Sequence, residues 1–317
     1  MGKNKVEEGK MIYLRIDGRI GNQLFMYAFA KNISEKRGNE LIVVDDKEAI
    51  KRNYRNSLMD YELKNVKYVH SHKMLYSFEF IKQNFIFFVY RVIRKKLNFN
   101  KRYKLEKKFQ KFFNNNGLIL CENGYLEYDV PITKNVFING YFQSDKYFDD
   151  IRNSVLNEIS MKNKEDIELE SIFPEIKQIR NRNSVCISIK VQHNVGNSMY
   201  DVCNDGYWQK AIEYICENVE NPLFFICSDN VEYVKEKLID CEKYDAVYQN
   251  PKVPVNISLA IMGECKHFII GNTTFGWWAQ YLSDYKKKLI VAPSKMVKIR
   301  YANRYLSKRL AFGGGLN

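Results

Sequence analysis

The sequence predicts an α/β protein built from two Rossmann-like domains, and three observations lead to this prediction. Apolar strand-like runs alternate with helix-like runs along most of the chain, which is typical of parallel sheets covered by helices on both faces. The 317 residues are enough for two domains. A charged, helix-like connector over residues 163–183 divides the alternation into two halves. We therefore expect an N-terminal domain over 1–165, a C-terminal domain over 166–317, and a cleft between them.

The N-terminal half opens with a β-α-β pattern. Residues 10–16 have the apolar, β-branched content of a strand, and residues 22–38 have helical spacing that ends at Gly38. Residues 39–46 form the second apolar strand. The two strands are expected to be parallel, with a right-handed crossover. A strand, a turn and a helix are predicted over 136–161.

Residues 74–112 are first aromatic and then basic. Residues 91–111 contain ten lysines and arginines and a single acidic residue, Glu106. One interpretation is a surface for anionic lipid or a lipid-linked substrate, which would give peripheral membrane contact through residues 91–111. The other, which we favour, is a helix packed by its aromatic face and followed by a solvated basic segment.

Regular alternation returns in the C-terminal half, as expected for a parallel sheet. The predicted strands are 184–191, 222–229, 266–272 and 287–293, and the predicted helices are 206–220, 230–240, 257–265 and 273–284.

Composition restricts the environment and the partners. The net charge of +13 suggests acidic partners such as phosphates, nucleic acid or an anionic membrane. Seven scattered cysteines favour a reducing compartment. The N-terminus lacks the apolar core of a signal peptide, and no apolar run approaches the ~18 residues of a membrane span. We expect a cytoplasmic protein, with a peripheral position at the inner membrane face as a further possibility.

The first candidate site is the loop "GRIGNQ" between the first strand and the first helix. Ligands of open α/β sheets bind at the carboxyl ends of strands, and the N–H groups that begin a helix can hold an anion. The candidate ligand-binding residues are Gly18, Gly21, Asn22 and Gln23. A tight turn with an asparagine near the helix N-cap is an equal alternative, and a G-x-x-G loop also occurs in RNA-binding modules.

Two further strand ends in the C-terminal half carry polar side chains. Asn272, Thr273 and Thr274 lie between a strand and a helix, where hydroxyl and N–H groups suit a phosphate. Ser228 and Asp229 occupy the same position after another strand. Ordinary helix capping is the alternative for both groups, and is the commoner outcome for Asp229.

With these motifs in order, the chain resembles the bacterial α-1,2-fucosyltransferases of glycosyltransferase family 11. The resemblance rests on "GRIGNQLFMYAFA", "GYFQSDKYFDDIR", "FFICSDNVEYVKEKL" and "ISLAIMGECKHFIIGNTTFGWWAQYLS", which span residues 11–293 nearly end to end. It implies a GT-B-like fold and an inverting, metal-independent transfer from a GDP-sugar, most often GDP-fucose, to a glycan or lipid-linked glycan acceptor. No cofactor, no metal and no nucleic acid partner are expected.

One segment departs from the family pattern H-x-R-R-G-D-Y. Ser188 stands at the histidine, Lys190 at the first arginine and Val191 at the second, while Gln192 and His193 replace the glycine and aspartate. The resemblance implies that Lys190 faces the diphosphate, where it would supply one positive charge without the bidentate fork of a guanidinium. His193 is either a new polar group at the strand end or an ordinary loop histidine.

The predicted mechanism is direct displacement at the anomeric carbon, helped mainly by stabilisation of the departing diphosphate. The stabilising groups are Lys190, residues 272–274 and the loop from Gly18 to Asn22. Asp17 and His193 are candidate general bases by loop position, and Asp17 could instead be a turn residue. The competing classes are a basic RNA-binding protein and a nucleotide-sugar-binding pseudoenzyme.

Overall fold

The computed structural model describes residues 10–45, 54–71, 78–128, 134–160, 166–191, 202–203, 205–239 and 243–294. The chain divides into two compact units, Met1–Val155 and Leu156–Asn317. This division falls somewhat before the predicted boundary at 165/166, within the helix Arg152–Ile159.

The first unit contains a five-stranded parallel sheet in the order β3-β2-β1-β5-β4. Its elements are β1 (Ile12–Arg15), α1 (Ile20–Arg37), β2 (Leu41–Asp45), β3 (Val66–His70), α2 (Phe78–Arg94), α3 (Phe99–Asn115), β4 (Leu118–Cys121), β5 (Val136–Gly140) and α4 (Arg152–Ile159). The predicted β-α-β unit is confirmed, with β1 and β2 in parallel register from Ile12 opposite Leu41.

Helix α1 is buried along most of its length, and its central residues 24–30 are apolar on every side. It ends where the sequence predicted, at Gly38, whose φ of 64° is left-handed. The Gly38 N–H donates to the carbonyl of Glu35, and Lys36 and Arg37 lie in the last turn, where positive charge is favoured.

The aromatic and basic segment forms two helices, α2 and α3, and the favoured interpretation of it was wrong for half of α2. Phe80 and Tyr90 are buried against the sheet, as that interpretation requires. Phe85 and Phe88, however, are 67% and 61% exposed. Helix α2 therefore has a second apolar face, which the described residues leave exposed. Within the described residues, no helix is long and apolar enough to cross a bilayer.

The second unit contains another five-stranded parallel sheet, in the order β10-β9-β6-β7-β8. Its elements are α5 (Asp166–Ile172), α6 (Ile176–Asn181), β6 (Asn183–Ile189), α7 (Asp205–Asn218), β7 (Pro222–Ser228), α8 (Val231–Lys237), β8 (Ala246–Tyr248), α9 (Val255–Gly263), β9 (His267–Ile270), α10 (Thr274–Leu282) and β10 (Ile290–Val291). Trp208 on α7 and the side chains of β6 and β7 form one core. Trp277 and Trp278 on α10 are buried and belong to the interior.

Candidate functional site

Each sheet has one central strand at which the strand order reverses: the strands that follow it directly in the chain lie on one side, and later strands lie on the other. In the first unit β1 lies between β2 and β5, and in the second β6 lies between β7 and β9. The loops that follow the two strands at such a point separate, and the crevice outside their carboxyl ends is where open α/β sheets bind ligands. Most of the predicted site residues lie at these two places.

Gly18 allows the turn that follows β1. Its φ is +76°, and a Cβ atom on it would lie 2.7 Å from Asn22 Nδ2. The Gly18 N–H donates to Asp17 Oδ1 at 2.7 Å. Any other residue here would be strained and would push Asn22 away, so the glycine is required by the loop itself.

Asn22 lies inside the first turn of α1 and does not cap the helix. The N-cap position is Arg19, which makes no side-chain cap, and the carbonyl of Arg19 accepts from the N–H groups of Asn22 and Gln23. Asn22 Oδ1 instead accepts from Gln143 Nε2 at 2.9 Å. The structure thus has a tight turn with an asparagine near the helix N-cap, as the alternative interpretation expected, but Asn22 does not itself cap the helix.

Gln23 is enclosed by protein and is only 1% exposed. Its Nε2 donates to the carbonyls of Gly18 and Arg55, both at 2.8 Å, and its Oε1 accepts from the N–H of Ser57 at 2.8 Å. All of these partners are backbone groups of two loops. Gln23 therefore holds the loop after β1 against residues 55–57, and its amide does not face a ligand. Gly21 beside it is likewise buried.

Asp17 is partly buried at the carboxyl end of β1. Its Oδ2 accepts from the hydroxyl of Tyr141 at 3.4 Å. Tyr141 follows β5, which pairs with β1. Asp17 thus serves the turn through Oδ1 and contacts the neighbouring loop through Oδ2.

Sequence reasoning missed three residues at this edge: Arg19, Tyr141 and Gln143. Arg19 is exposed at the start of α1. Tyr141 and Gln143 belong to the stretch "GYFQS" that carried part of the family resemblance, which was the available signal. Their partners, Asp17 and Asn22, lie more than 100 residues away along the chain.

In the second unit, α10 begins directly against the end of β6. Thr273 is its N-cap, and Thr273 Oγ1 accepts from the N–H of Gly276 at 3.1 Å. A Cβ atom on Gly276 would lie 2.9 Å from Ser188 Oγ. The capping alternative for Thr273 is therefore confirmed, and the small residues 188 and 276 let the helix start approach the strand.

Asn272 and Thr274 lie on either side of this cap. Asn272 is 7% exposed and its Oδ1 accepts from Cys203 Sγ at 3.8 Å. Thr274 is the first residue of α10 and is partly exposed. Before them, the N–H of Gly271 donates to the carbonyl of Ser188 at 3.1 Å, which ties this loop to β6.

The loop after β7 is tied to the loop after β6. Asp229 is exposed, and its Oδ1 accepts from the N–H of Val191 at 2.7 Å. Capping of α8, which was expected of Asp229, is performed by Asn230, whose Oδ1 accepts from the N–H of Tyr233 at 3.0 Å. Ser228 Oγ accepts from the N–H of Asn230 at 3.0 Å.

Lys190 immediately follows β6 and is partly exposed. The second unit therefore brings together at one sheet edge Lys190, the Ser228–Asp229 pair and the start of α10. His193, the other residue predicted near Lys190, lies outside the described residues. A cation beside a helix N-terminus is suited to an anionic ligand such as a phosphate.

A metal site would need several ligand side chains close together among the described residues. There, no group of three or more histidine, cysteine, aspartate or glutamate side chains is arranged to hold a metal ion.

Comparison with known proteins gives consistent results. The family model "Glycosyl transferase family 11" matches residues 11–308. The chain is 25% identical over 305 residues to the O-antigen biosynthesis glycosyltransferase WbnK of Escherichia coli, covering 90% of this chain and 94% of that protein. It is 24% identical over 303 residues to an α-1,2-colitosyltransferase of Escherichia coli, covering 90% and 91%.

Solved structures add the fold. The crystal structure of the α-1,6-fucosyltransferase NodZ soaked with GDP-fucose superposes with a TM-score of 0.50 at 9% identity, covering 87% of this chain and 93% of NodZ. This similarity, together with the two parallel sheets, confirms the predicted GT-B-like α/β fold.

Proposed function

The chain belongs to glycosyl transferase family 11 and is a glycosyltransferase, and from this premise we propose that it transfers L-fucose from GDP-fucose to a glycan acceptor, in α-1,2 linkage, during surface polysaccharide synthesis. Support for the context comes from the E. coli relative named for O-antigen biosynthesis. Support for the sugar comes from relatives named galactoside α-(1,2)-fucosyltransferases, such as one from Saimiri sciureus that is 28% identical over 104 residues.

The observation that carries this proposal is the start of α10 beside Lys190 at the carboxyl edge of the second sheet. The N-terminal end of a helix carries a partial positive charge, which favours a bound anion. Lys190 adds a full positive charge at the end of the neighbouring strand, β6. We therefore assign the nucleotide diphosphate of the donor to the second unit.

Departure of the diphosphate is the step that these groups assist. As the bond from the anomeric carbon to the phosphate oxygen breaks, negative charge builds up on the diphosphate, and preorganised cations and dipoles stabilise it. Lys190 and the N–H groups at the start of α10 supply this stabilisation in a metal-independent reaction. A single displacement by the acceptor hydroxyl inverts the configuration at the anomeric carbon.

The loop after β1 is assigned to the acceptor side. Asp17 is the candidate general base within the described residues, because this carboxylate is partly exposed at the carboxyl end of β1. Asn22 and Gln143, joined by their amides, are suited to bind sugar hydroxyls because an amide both donates and accepts. Gln23 fixes the position of this loop through its hydrogen bonds to three backbone groups.

A second donor is favoured by a specific observation. One relative that matches over 90% of the chain is named an α-1,2-colitosyltransferase, so members of this family differ in the sugar they transfer. Ser188 and Lys190 replace residues of the family segment that faces the diphosphate. A nucleotide-activated colitose is therefore the alternative donor, with the same site and the same mechanism.

A panel of nucleotide sugars tests both donors without a known acceptor. We expect GDP-fucose or its colitose counterpart to raise the melting temperature and to be hydrolysed slowly, with EDTA making no difference. Lys190→Ala should reduce hydrolysis, whereas the matched control Lys286→Ala, an exposed lysine outside the site, should not. Donor binding without any turnover in the presence of a glycan acceptor would instead indicate a pseudoenzyme, and strict dependence on Mg²⁺ or Mn²⁺ would contradict the mechanism.

The same melting assay separates the transferase from a nucleic-acid-binding protein. GDP should raise the melting temperature, and an RNA oligonucleotide at equal phosphate concentration should not. The reverse result would contradict the proposed function.

A further inference from the structure

Helix α2 carries an apolar face that the part of the chain described by the structure leaves exposed. Seven large apolar side chains recur along it at helical spacing and are all more than a third exposed. We call them the α2 apolar face: Phe78, Ile81, Phe85, Phe88, Val89, Val92 and Ile93. Phe78, at 79%, is the most exposed of them. A continuous apolar row that is exposed on a protein surface marks a site of interaction.

The opposite side of α2 is fixed to the protein. Phe80 and Tyr90 pack with Phe137 and Leu118 in the core of the first unit. The Tyr90 hydroxyl donates to the buried carboxylate of Glu106 on α3. Glu106 also accepts from the N–H of Asn123 at 3.2 Å. Helix α2 is thus held flat on the unit with its apolar face outward.

The segment that carries this face is rich in positively charged residues. Residues 78–116, which comprise α2, α3 and the turn between them, contain eleven lysines and arginines and two glutamates. Glu106 is fully buried, so Glu79 is the one exposed carboxylate of the segment. Lys95 and Lys96 are exposed directly after α2, and Lys82 is exposed within it.

We propose that the α2 apolar face inserts into the surface of an anionic phospholipid bilayer, with the helix lying in the plane of the membrane. An apolar row enters the boundary between headgroups and acyl chains, while flanking lysines and arginines bind anionic headgroups. The helix cannot span the bilayer, because its other face covers the core of the first unit.

Charge favours lipid over a second copy of the chain as the occupant. A second copy would bring another set of lysines and arginines to the same surface and would offer only Glu79 as an exposed carboxylate from this segment. An anionic membrane offers many negative charges together with an apolar interior, which matches both properties of the face. The interface differs from the one predicted from sequence, since residues 91–111 supply the charge and α2 supplies the insertion.

Sedimentation with vesicles tests the proposal on the full chain. We expect the protein to bind vesicles of phosphatidylcholine containing about 30% phosphatidylglycerol, and to bind pure phosphatidylcholine at least about tenfold more weakly. The double variant Phe85→Ser/Phe88→Ser should weaken binding about tenfold or more, since both rings would leave the bilayer. Met59→Ser, which removes a side chain 62% exposed elsewhere on the first unit, should change nothing.

A matched pair of lysine variants isolates the charge. Lys95→Gln/Lys96→Gln should weaken binding to the anionic vesicles by roughly tenfold or more at low salt, whereas Lys286→Gln/Lys287→Gln, an adjacent exposed pair in the second unit, should leave it intact. Hydrolysis of a soluble donor should be the same in all of these variants, so lipid binding can fail without affecting the proposed function.

Three outcomes would overturn the proposal. One is a wild-type protein that does not bind anionic vesicles at low salt. Another is binding that is lost with Lys95→Gln/Lys96→Gln but unchanged in Phe85→Ser/Phe88→Ser, which would show attraction without insertion. The third is a dimer that Phe85→Ser/Phe88→Ser dissociates while the vesicles bind nothing, which would identify a second copy as the occupant.

Discussion

Replacement of Gln23 by methionine should destabilise the first unit and loosen the loop after β1. Methionine has nearly the same shape but removes every hydrogen bond of the amide. The carbonyl of Gly18 and the N–H of Ser57 then lose partners within buried hydrogen bonds, whereas the carbonyl of Arg55 is only partly buried. At ~1–3 kcal/mol for each of the two buried groups left unsatisfied, the expected loss is roughly 2–6 kcal/mol.

Thermal unfolding of the full chain measures this loss. For a unit of this size, each kcal/mol lowers the melting temperature by about 2–4 °C, so the transition of the first unit should fall by at least about 4 °C. Gln178→Met, a change at an exposed position of α6, is the control and should stay within about 0.5 kcal/mol of the wild type. If Gln23→Met instead had the melting temperature and the KM values of the wild type, that result would refute the role of Gln23 in holding the loop.

Three further predictions concern the sheet edges and pH. Lys190→Ala should lower kcat by roughly 10²-fold, while Lys190→Arg should stay within about tenfold because the charge is kept; equal losses in both variants would argue against a charge effect. Gln143→Met, which removes the 2.9 Å bond to Asn22 Oδ1, should raise the acceptor KM by about fivefold without changing the melting temperature; an unchanged KM would separate Asn22 from the acceptor. Burial, with a smaller effect of Lys266, holds the pKa of His267 below its usual range, and its Nδ1 accepts from the N–H of Leu289 at 3.1 Å. Stability from neutral His267 should therefore be complete above the ordinary histidine pKa of about 6.5 and be lost as pH falls below it. The melting temperature of His267→Gln should therefore fall less steeply than that of the wild type as the pH drops from about 7 to 5. Identical slopes would contradict this assignment.

The elements that sequence reasoning found are those whose signal is local. Gly18 and Gly38, with the apolar runs before, between and after them, mark β1, α1 and β2 without any long-range information. β3 was missed because it is an edge strand whose side chains are mostly exposed, so it lacks buried alternation. β8 was missed because three residues are too few to show a period.

The site shows the same limit in its contacts. The polar residues at strand ends were found because each follows an apolar run directly. The exchange of roles between Asp229 and Asn230 could not be found, because adjacent residues of the same capping chemistry differ only in where their side chains point. The pairing of Gln143 with Asn22 depends on β5 lying beside β1, which is a property of the whole sheet. The exposed face of α2 was misjudged since periodicity shows that a face is apolar and not whether anything covers it.

The segment that departs from the family pattern begins inside β6, at Ser188. Ser188 pairs with Ile270 in parallel register, and its carbonyl accepts from the N–H of Gly271. The strand therefore delivers Lys190 to the same edge at which α10 begins. Under the proposed function, Lys190 offers one ammonium in place of the guanidinium forks of the family pattern, and a larger share of the diphosphate charge would then fall on the start of α10. That helix start is capped by Thr273 and packed through Gly276 on Ser188, so under the proposed mechanism the position of a helix terminus, more than a side chain, stabilises the leaving group.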